Sequence, residues 1–261
     1  MKIITWNINS VRLRLPLVLR LLSEQQPDVL CLQETKCPDD AFPVADFQAA
    51  GYPHLAYRGE KGYNGVAMIA RVPLHTPDHI LWAEKQDCRH LSVMLENQTT
   101  LHNFYIPAGG DVPDPESNDK FAHKLQFLDE LAEWSDRLDA SQPAILVGDL
   151  NIAPREDDVW SHKQLLKVVS HTPIEVEALN RIMAKGKWHD AVREMIPEGQ
   201  LYSWWSYRAR DWLAADRGRR LDHIWVTPPL RQNLAGAEVI TSARGWEKPS
   251  DHAPVVINFA F

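Results

Sequence analysis

Four short apolar segments, spread from one end of the chain to the other, each end in an acidic, amide or histidine side chain. Each segment has the composition of a β-strand, so the polar residue falls where the strand ends. The four stretches are Thr5-Trp6-Asn7-Ile8-Asn9, Leu32-Gln33-Glu34-Thr35-Lys36, Val147-Gly148-Asp149-Leu150-Asn151 and Ser250-Asp251-His252-Ala253. A fold that fits this pattern brings distant strand ends together at one edge, as packed sheets do.

The chain begins with a predicted strand–helix–strand unit. The strands are 2–8 and 28–33, and between them Leu15, Val18 and Leu22 recur at the spacing of one helical face. Further strands are predicted at 65–70, 90–95, 99–105, 144–147, 221–226 and 255–259, and helices at 119–138 and 175–183. Several strands follow one another with little helix between them, which favours antiparallel pairing. The pattern predicts an α/β protein with two sheets packed face to face and helices outside.

The 261 residues contain no linker and no internal repeat, so we expect a single domain spanning 1–261. With 44% hydrophobic and 24% charged residues, the composition is that of a globular protein with a substantial core. No apolar run approaches the roughly 18 residues of a membrane span, and no secretory signal opens the chain. The cysteines Cys31, Cys37 and Cys88 show no metal-binding spacing. These features predict a cytoplasmic protein with reduced thiols and no membrane partner, with monomer as the default state.

The net charge of −7 argues against a nucleic-acid partner, because phosphate binding usually leaves a basic surface. The arginines are unevenly distributed, however, with an early group and a denser late one. They are Arg12, Arg14 and Arg20, followed by Arg208, Arg210, Arg217, Arg219 and Arg220. A metal ion held by carboxylates would also attract phosphate. Two interpretations stay open: the arginines form a local positive surface, or they are ordinary solvated side chains.

Each polar strand end, taken alone, has a plain structural explanation such as a turn, a helix cap or a surface ion pair. Together they place several oxygen ligands and one histidine at one end of a sandwich. Mg²⁺ prefers oxygen ligands and is usually held by one or two carboxylates together with substrate phosphate. Phosphodiester hydrolysis also needs a group that deprotonates water and positive charge beside the developing oxyanions. The set therefore predicts a magnesium-dependent phosphodiesterase centre.

Six stretches resemble the signatures of the exonuclease III and AP endonuclease family, which belongs to the endonuclease/exonuclease/phosphatase superfamily. In chain order they are Trp6-Asn7-Ile8-Asn9, Leu32-Gln33-Glu34-Thr35-Lys36, Gly62-Tyr63-Asn64-Gly65-Val66, Gly148-Asp149-Leu150-Asn151-Ile152, Arg220-Leu221-Asp222 and Lys248-Pro249-Ser250-Asp251-His252-Ala253-Pro254. They cover nearly the whole chain in the expected order. The resemblance implies a four-layer α/β sandwich of the DNase I-like type, in which two mostly antiparallel sheets are flanked by helices.

The same resemblance implies a DNA repair nuclease that uses Mg²⁺, with Mn²⁺ as an alternative ion. Its expected partner is duplex DNA with an abasic site or a 3′ end. The expected reactions are hydrolysis of the phosphodiester 5′ to the abasic site, 3′-to-5′ exonuclease action and 3′ repair. By position, Glu34, Asn7 and Asp251 resemble metal ligands. Asp149 and Asn151 resemble the pair that activates and orients the attacking water, and His252, paired with Asp222, resembles the histidine that contacts the phosphate.

Further positions resemble substrate contacts. Tyr105 matches the family tyrosine that reaches the scissile phosphate, although a core tyrosine is the plain alternative. Arg89 and Tyr63 match positions that contact the DNA backbone, and Lys36 and Asn9 flank the metal site in the sequence.

An apolar pocket for a base-free sugar is expected around one of two adjacent tryptophans. Trp204 and Trp205 should point to opposite faces of a strand, so at most one of them lines a site. By resemblance it is Trp204, together with Leu221. Two positions depart from the family pattern: Arg219 stands where a pocket residue is often aromatic or aliphatic, and Ala108 where an amide often helps to hold the phosphate. Both bear on abasic-site binding and on the balance between endonuclease and exonuclease activity.

Two other functions are compatible with parts of this pattern. A phosphodiesterase or phosphatase acting on a non-DNA phosphate ester would share the catalytic residues and differ in the wall that meets the substrate. A non-catalytic nucleic-acid-binding module would be expected to have lost some of the residues that resemble metal ligands, water-activating groups and phosphate contacts. This chain retains all seven of them, which are Asn7, Glu34, Asp149, Asn151, Asp222, Asp251 and His252.

Overall fold

The computed structural model describes residues 1–261, which form fourteen strands and seven α-helices. The strands are β1 (Lys2–Asn7), β2 (Val29–Gln33), β3 (His54–Arg58), β4 (Val66–Ala70), β5 (His75–Asp78), β6 (His90–Met94), β7 (Thr100–Tyr105), β8 (Ala144–Asp149), β9 (His189–Asp190), β10 (Trp204–Trp205), β11 (Gly218–Arg219), β12 (Asp222–Val226), β13 (Leu234–Val239) and β14 (Val255–Phe259). The helices are α1 (Leu15–Gln25), α2 (Val44–Ala49), α3 (Asp119–Arg137), α4 (His162–Leu165), α5 (Pro173–Gly186), α6 (Ala191–Met195) and α7 (Trp212–Ala215).

The three long helices begin at residues suited to that position. Pro16 lies in the first turn of α1, and Pro173 opens α5 behind a capping box formed by Thr172 and Glu175. The side chain of Asn118 caps α3 by accepting a backbone N–H of its first turn. The prediction of a helix at 119–138 is confirmed, and the one at 175–183 is correct but too short at both ends. None of the helices combines the length and apolar character that a membrane crossing requires.

Two six-stranded sheets organise the chain. The first has the strand order β13-β14-β1-β2-β4-β3, and the second has the order β5-β6-β7-β8-β12-β9. Most neighbours are antiparallel, as predicted, but β1 is parallel to β2 and β7 is parallel to β8. The parallel pairing of β1 with β2 agrees with the predicted strand–helix–strand unit, and no antiparallel pairing is predicted for β7 and β8, which the predicted helix at 119–138 separates. Helix α3 lies between these two strands in the sequence, and a helical crossover returns the chain in the same direction.

Apolar residues alternate along the strands so that both faces of each sheet are covered. Cys31 of the first sheet and Val147 of the second belong to one buried cluster between the sheets. On the outer faces, Trp6 packs with α1 and α2, and Phe104 packs with α3 and α5. The order of layers is helix, sheet, sheet, helix, which confirms the expected four-layer α/β sandwich.

Three of the longer strands, β3, β5 and β13, are missing from the sequence-based prediction, as are the two-residue strands β9 and β11. All of β5 is exposed and it contains Pro77, while β13 contains Gly236 next to a register shift. In β3 only the central Ala56 is buried. Each lies at the edge of a sheet, where the apolar alternation that identifies a strand is weakest.

The strand ends that carry polar residues meet at one edge of the sandwich. In the first sheet the last residue of β1, Asn7, pairs with the last residue of β2. In the second sheet the last residue of β8, Asp149, pairs with Tyr105 at the end of β7 and with Asp222 at the start of β12. This edge is the floor of a cleft of about 590 Å³.

Candidate active site

The side chain of Asn7 joins the two sheets at the floor of the cleft. Its Nδ2 donates to Glu34 Oε2 at 3.0 Å and to Asp149 Oδ2 at 2.9 Å. Its Oδ1 accepts the backbone N–H of Asn9 at 3.0 Å. Asn7 is almost fully buried, so one amide fixes the separation of two carboxylates that come from different sheets.

A carboxylate with an elevated pKa lies at the centre of this edge. Asp149 Oδ1 accepts the backbone N–H of Asn151 at 3.0 Å, and Oδ2 accepts Asn151 Nδ2 at 3.1 Å. Burial raises the pKa of Asp149 to about 7, although the neighbouring His252 opposes the rise. A carboxyl group with a pKa near neutrality can take a proton from water, provided that a nearby positive charge assists the reaction.

A histidine lies between two carboxylates on the other side of Asp149. His252 Nδ1 donates to Asp222 Oδ2 at 2.8 Å, and Nε2 lies 3.7 Å from Asp149 Oδ2. Although burial disfavours the charged ring, Asp222 and Asp149 together raise the pKa of His252 to about 10. The imidazole is therefore a cation near neutral pH, as the binding of a phosphate requires.

The His252 proton makes stability depend on pH. The folded pKa of about 10 exceeds the ordinary 6.5, so this stabilisation is complete below pH 6.5 and is lost as the pH rises through 10. The expected slope for one group is about 1.4 kcal/mol of unfolding free energy per pH unit. Urea unfolding at several pH values measures it. In Asp222→Asn the main attraction is gone, so the slope between pH 7 and 10 should be shallower; equal slopes would contradict this account of His252.

The oxygen ligands predicted for a metal line the same cleft. Glu34 and Asp251 both contribute to its wall, together with Asn7. Asp251 Oδ1 accepts Asn9 Nδ2 at 3.1 Å, and Lys36 Nζ lies 2.8 Å from Glu34 Oε1. Lys36 also donates to Asn9 at 2.7 Å, so Asn9 and Lys36 connect the two carboxylates. This donor set of carboxylate and amide oxygens is the kind that hard cations prefer.

A second group of potential ligands overlaps with the first. The ligand atoms of Asp149, Asp222 and His252 lie within 4.8 Å of one another and could hold a metal. However, Asp222 and His252 are already hydrogen-bonded to each other, and a protonated imidazole cannot bind a cation. The donors of Glu34, Asn7 and Asp251 therefore fit a divalent cation better than this trio does.

Tyr105, Arg89 and Tyr63 occupy two adjoining cavities. Tyr105 lines the catalytic cleft, and burial, aided by Glu34 and Asp149, holds the pKa of its hydroxyl well above the usual value. Arg89 stacks on the Tyr105 ring with 4.9 Å between guanidinium carbon and ring centroid. Arg89 and the exposed Tyr63 line a neighbouring cavity of about 530 Å³. The structure thus places these two predicted DNA contacts beside the cleft that contains Asp149 and not within it.

The two tryptophans face opposite sides, as the alternation predicts. Trp205 is buried in a small apolar cluster, whereas Trp204 lines the cleft near Leu221. Trp204 Nε1 donates to Asp251 Oδ2 at 3.0 Å, which couples this wall to the candidate metal ligands. Arg219 lies against the same wall, with its guanidinium carbon 5.1 Å from the Trp204 ring centroid.

Some of the late arginines form the local positive surface that the sequence suggested, and one of them does not. Arg208, Arg217 and Arg219 line the cleft and form a local positive surface. Arg220 does not: its side chain is buried and pairs with Asp158 and with Asp190. Including Arg220 in a positive surface is therefore wrong. The alternation along 219–222 sends its side chain away from the cleft, toward buried acids that the sequence does not link to it.

Sequence reasoning missed two serines that hold candidate catalytic residues in place. Ser203 Oγ donates to Asp222 Oδ2 at 2.6 Å and accepts the backbone N–H groups of Leu221 and Asp222. Ser250 Oγ donates to the carbonyl oxygen of Asn7 at 2.6 Å. Ser250 lies next to Asp251 and could have been suspected from that position, but no signal in the sequence identifies Ser203.

Comparison with known proteins relates the whole chain to one group of enzymes. The sequence pattern of the endonuclease/exonuclease/phosphatase family matches residues 4–252. Exodeoxyribonuclease III of Haemophilus influenzae is 30% identical over 272 aligned residues, which cover 99% of this chain and 100% of the relative.

Two solved structures share the fold in full. An AP endonuclease from Archaeoglobus fulgidus superimposes with a TM-score of 0.93 at 33% identity, covering 100% of both chains. A 3′ phosphatase from Neisseria, solved bound to a product DNA hairpin, superimposes with a TM-score of 0.92 at 32% identity, again over 100% of both chains. The similarity therefore extends over every layer of the sandwich.

Proposed function

Because the chain belongs to the endonuclease/exonuclease/phosphatase family and has exodeoxyribonuclease III as a full-length relative, we propose that it is a Mg²⁺-dependent DNA repair nuclease. Its substrates are duplex DNA with an abasic site, cut 5′ to the lesion, and duplex 3′ ends. The observation that carries the proposal is the buried Asp149, which lies between the Asn7–Glu34 pair and the His252–Asp222 pair in one cleft.

One group of residues binds the metal ion in this reaction, and a second group activates the attacking water. Glu34, Asn7 and Asp251 hold the ion, which supplies positive charge to the phosphate oxygens when bound. Asp149 accepts the proton of the attacking water, and Asn151 fixes the orientation of Asp149 through two hydrogen bonds.

The phosphate is held by groups on the opposite side of Asp149. His252 is kept protonated by Asp222, so it offers a charged N–H donor to a phosphate oxygen. The hydroxyl of Tyr105 lines the same cleft, and its raised pKa keeps it protonated as a second donor. These donors are held by buried hydrogen bonds before substrate arrives, which is what stabilisation of a developing charge requires.

The residues of the cleft wall affect whether an internal abasic site or a 3′ end is the preferred substrate. Trp204 and Leu221 offer an apolar surface to a base-free sugar, but the guanidinium of Arg219 lies against that surface. Arg219 donates to Val169 O at 3.0 Å and to Ser170 Oγ at 2.8 Å, which holds it in place. A cation in this position favours phosphate over an uncharged sugar. We therefore propose that action at 3′ ends exceeds incision at internal abasic sites.

One assay tests the function directly. The protein is incubated with a duplex that carries a single stable abasic analogue and a recessed 3′ end, with Mg²⁺, with Mn²⁺ and with chelator. We expect nicking 5′ to the lesion and trimming from the 3′ end with either ion, and neither with chelator. Hydrolysis of small phosphate esters without action on the duplex would identify the non-DNA alternative, and metal-independent binding without cleavage would identify a binding module.

A further inference from the structure

A buried lysine and a buried glutamate lie beneath the cleft, and no task described above uses them. Lys124 of α3 and Glu175 in the first turn of α5 have side chains with 0% exposure, and they pair at 2.5 Å. A buried ion pair is by itself weak evidence for a stabilising role, because removing two charges from water offsets their attraction. The function of the pair is better judged from the other groups that these side chains hold.

The ammonium group of Lys124 joins two loops that line the cleft. Its Nζ donates to the carbonyl oxygen of Asn151 at 2.8 Å and to that of Ala108 at 3.3 Å. Ala108 belongs to the loop after β7 and Asn151 to the loop after β8. With Glu175 as the third partner, all three donors of the ammonium group are used.

Glu175 extends the same connection to a third loop. Its carboxylate accepts the backbone N–H of Ser170 at 2.9 and 3.0 Å, and the hydroxyl of Thr172 at 2.6 Å. Ser170 lines the cleft and its Oγ accepts Arg219 Nη1. The ion pair therefore lies where three loops of the cleft wall meet.

The hydrogen bond from Lys124 to the Asn151 carbonyl restrains the backbone conformation of Asn151. Its φ is +54°, in the left-handed region, which asparagine adopts more readily than most residues other than glycine. In that conformation both its backbone N–H and its Nδ2 reach Asp149. Asparagine also adopts other backbone conformations, so contacts of Asn151 with its surroundings select this one. The bond from Lys124 to the Asn151 carbonyl is one such restraint, and the bond from Asn151 Nδ2 to Ile106 O is another.

The loop after β7 also leaves room for the side chain of Lys124. Gly109 has a φ of +90°, and a Cβ at that position would lie 2.9 Å from Lys124 Cδ. A larger residue there would have to displace the lysine stem, so Gly109 and Lys124 fit each other.

We propose that Lys124 is a positioning residue of the nuclease site: with Glu175 it fixes the three loops, and it acts on the attacking water through Asn151 and Asp149. The inference rests on the proposed nuclease function. Lys124 is fully buried, and its three hydrogen-bond partners include no candidate metal ligand. Loss of its ammonium group should therefore lower turnover without weakening substrate binding.

The test compares Lys124→Met with Leu179→Ala. Leu179 is a buried residue of the same α3–α5 layer and belongs to the apolar cluster that also contains Ile106 and Ile152 of these loops, but its side chain makes no hydrogen bond, so its replacement weakens apolar packing and leaves the polar attachment by Lys124 in place. Rates are measured on the abasic duplex at a temperature where circular dichroism shows both variants folded. We expect Lys124→Met to lower kcat by about ten- to a hundredfold with KM within about twofold, since small displacements of reacting groups cost this much. Leu179→Ala should keep kcat within about twofold of wild type. Equal losses of kcat in the two variants would overturn the proposal.

Hydrogen exchange provides a readout that does not depend on activity. The N–H groups of Ile106 and Ala153 donate to Asp149 O and Ser170 O, and both bonds lie in the loops in question. We expect faster exchange at 106–110 and 149–153 in Lys124→Met but not in Leu179→Ala, and unchanged exchange would overturn the proposal. If wild type shows no turnover, the nuclease function fails while this comparison still tests Lys124.

Should Lys124→Met fail to fold, the double variant Lys124→Met with Glu175→Gln removes both charges together. We expect it to fold and to show the same loss of kcat, because the carbonyl groups of Asn151 and Ala108 still lack their donor. Wild-type kcat in the double variant would overturn the proposal.

Discussion

Asp149→Asn should lower kcat by about a thousandfold or more while leaving the affinity for duplex DNA within about threefold of wild type. The amide has nearly the shape of the carboxylate but cannot accept a proton from water. One of its two ends must also face a donor, because Asp149 accepts N–H groups of Asn7 and Asn151 through both oxygens. Single-turnover rates and equilibrium binding in the presence of Mg²⁺ measure the two quantities separately.

The same variant should unfold at nearly the same temperature as wild type. The folded pKa of Asp149 is about 7, above its ordinary 3.8, so its contribution to stability is present below pH 3.8 and is lost as the pH rises through 7. At pH 8 without metal, the buried carboxylate therefore opposes folding, and a neutral amide relieves that opposition. This relief offsets the hydrogen bond that the amide loses, so we expect a Tm close to that of wild type.

This combination separates a chemical role from a structural one. A lower rate together with a lower Tm would mean that Asp149 serves the fold and that the loss of activity is indirect. A rate close to that of wild type would show that another group activates the water.

Asn103→Asp is a useful comparison, because it also exchanges an amide and a carboxylate at a buried position between the sheets but outside the cleft. It should lose stability, since it places a charge where Asn103 Nδ2 donates to two backbone carbonyl groups.

The position of the site was predictable because it depends on where strands end. Short apolar runs identify β1, β2, β8 and β12, and a polar residue at the end of such a run marks where the strand leaves the core. The right-handed strand–helix–strand crossovers then bring the ends of parallel neighbours to the same edge. Local pattern and general topology therefore suffice to bring Asn7, Glu34 and Asp149 together. The six matching stretches supplied the tasks proposed for them.

The partners of these residues could not be predicted in the same way. Ser203 and Lys124 become neighbours of the site only through tertiary contacts, and their local sequence is that of a loop and of an ordinary helix. Arg220 shows the converse error, because a charge within a basic stretch turned out to be buried against acids far away in the sequence. Edge strands such as β5 also escape prediction, since one solvated face provides little apolar signal.

Two buried arginines share one buried carboxylate next to the site, and this makes Asp158 a sensitive position. Asp158 Oδ1 accepts Arg220 Nε at 2.8 Å and Arg193 Nε at 3.1 Å, and Oδ2 accepts Arg220 Nη2 at 2.9 Å. Although burial opposes ionisation, the two guanidinium groups hold the pKa of Asp158 below its ordinary value. The carboxylate therefore stabilises the fold above its ordinary pKa, and this contribution is lost as the pH falls.

Asp158→Ala should lower the free energy of unfolding by roughly 3–5 kcal/mol, because Arg193 and Arg220 lose their shared partner and remain buried. Arg220 keeps Asp190 at 2.8 Å, but the closest remaining acid to Arg193 is Asp157 at 3.6 Å. Urea unfolding at pH 7 measures the change.

The adjacent Asp157→Ala is the matched control: its carboxylate is 40% exposed, so its removal should cost less than about 1 kcal/mol. Equal costs at the two positions would show that the buried pairs add nothing beyond a surface ion pair. A large cost at Asp158 alone would show that residues 218–222, which include Leu221 of the cleft wall and the buried Asp222, are held in place by a charge cluster on their buried side.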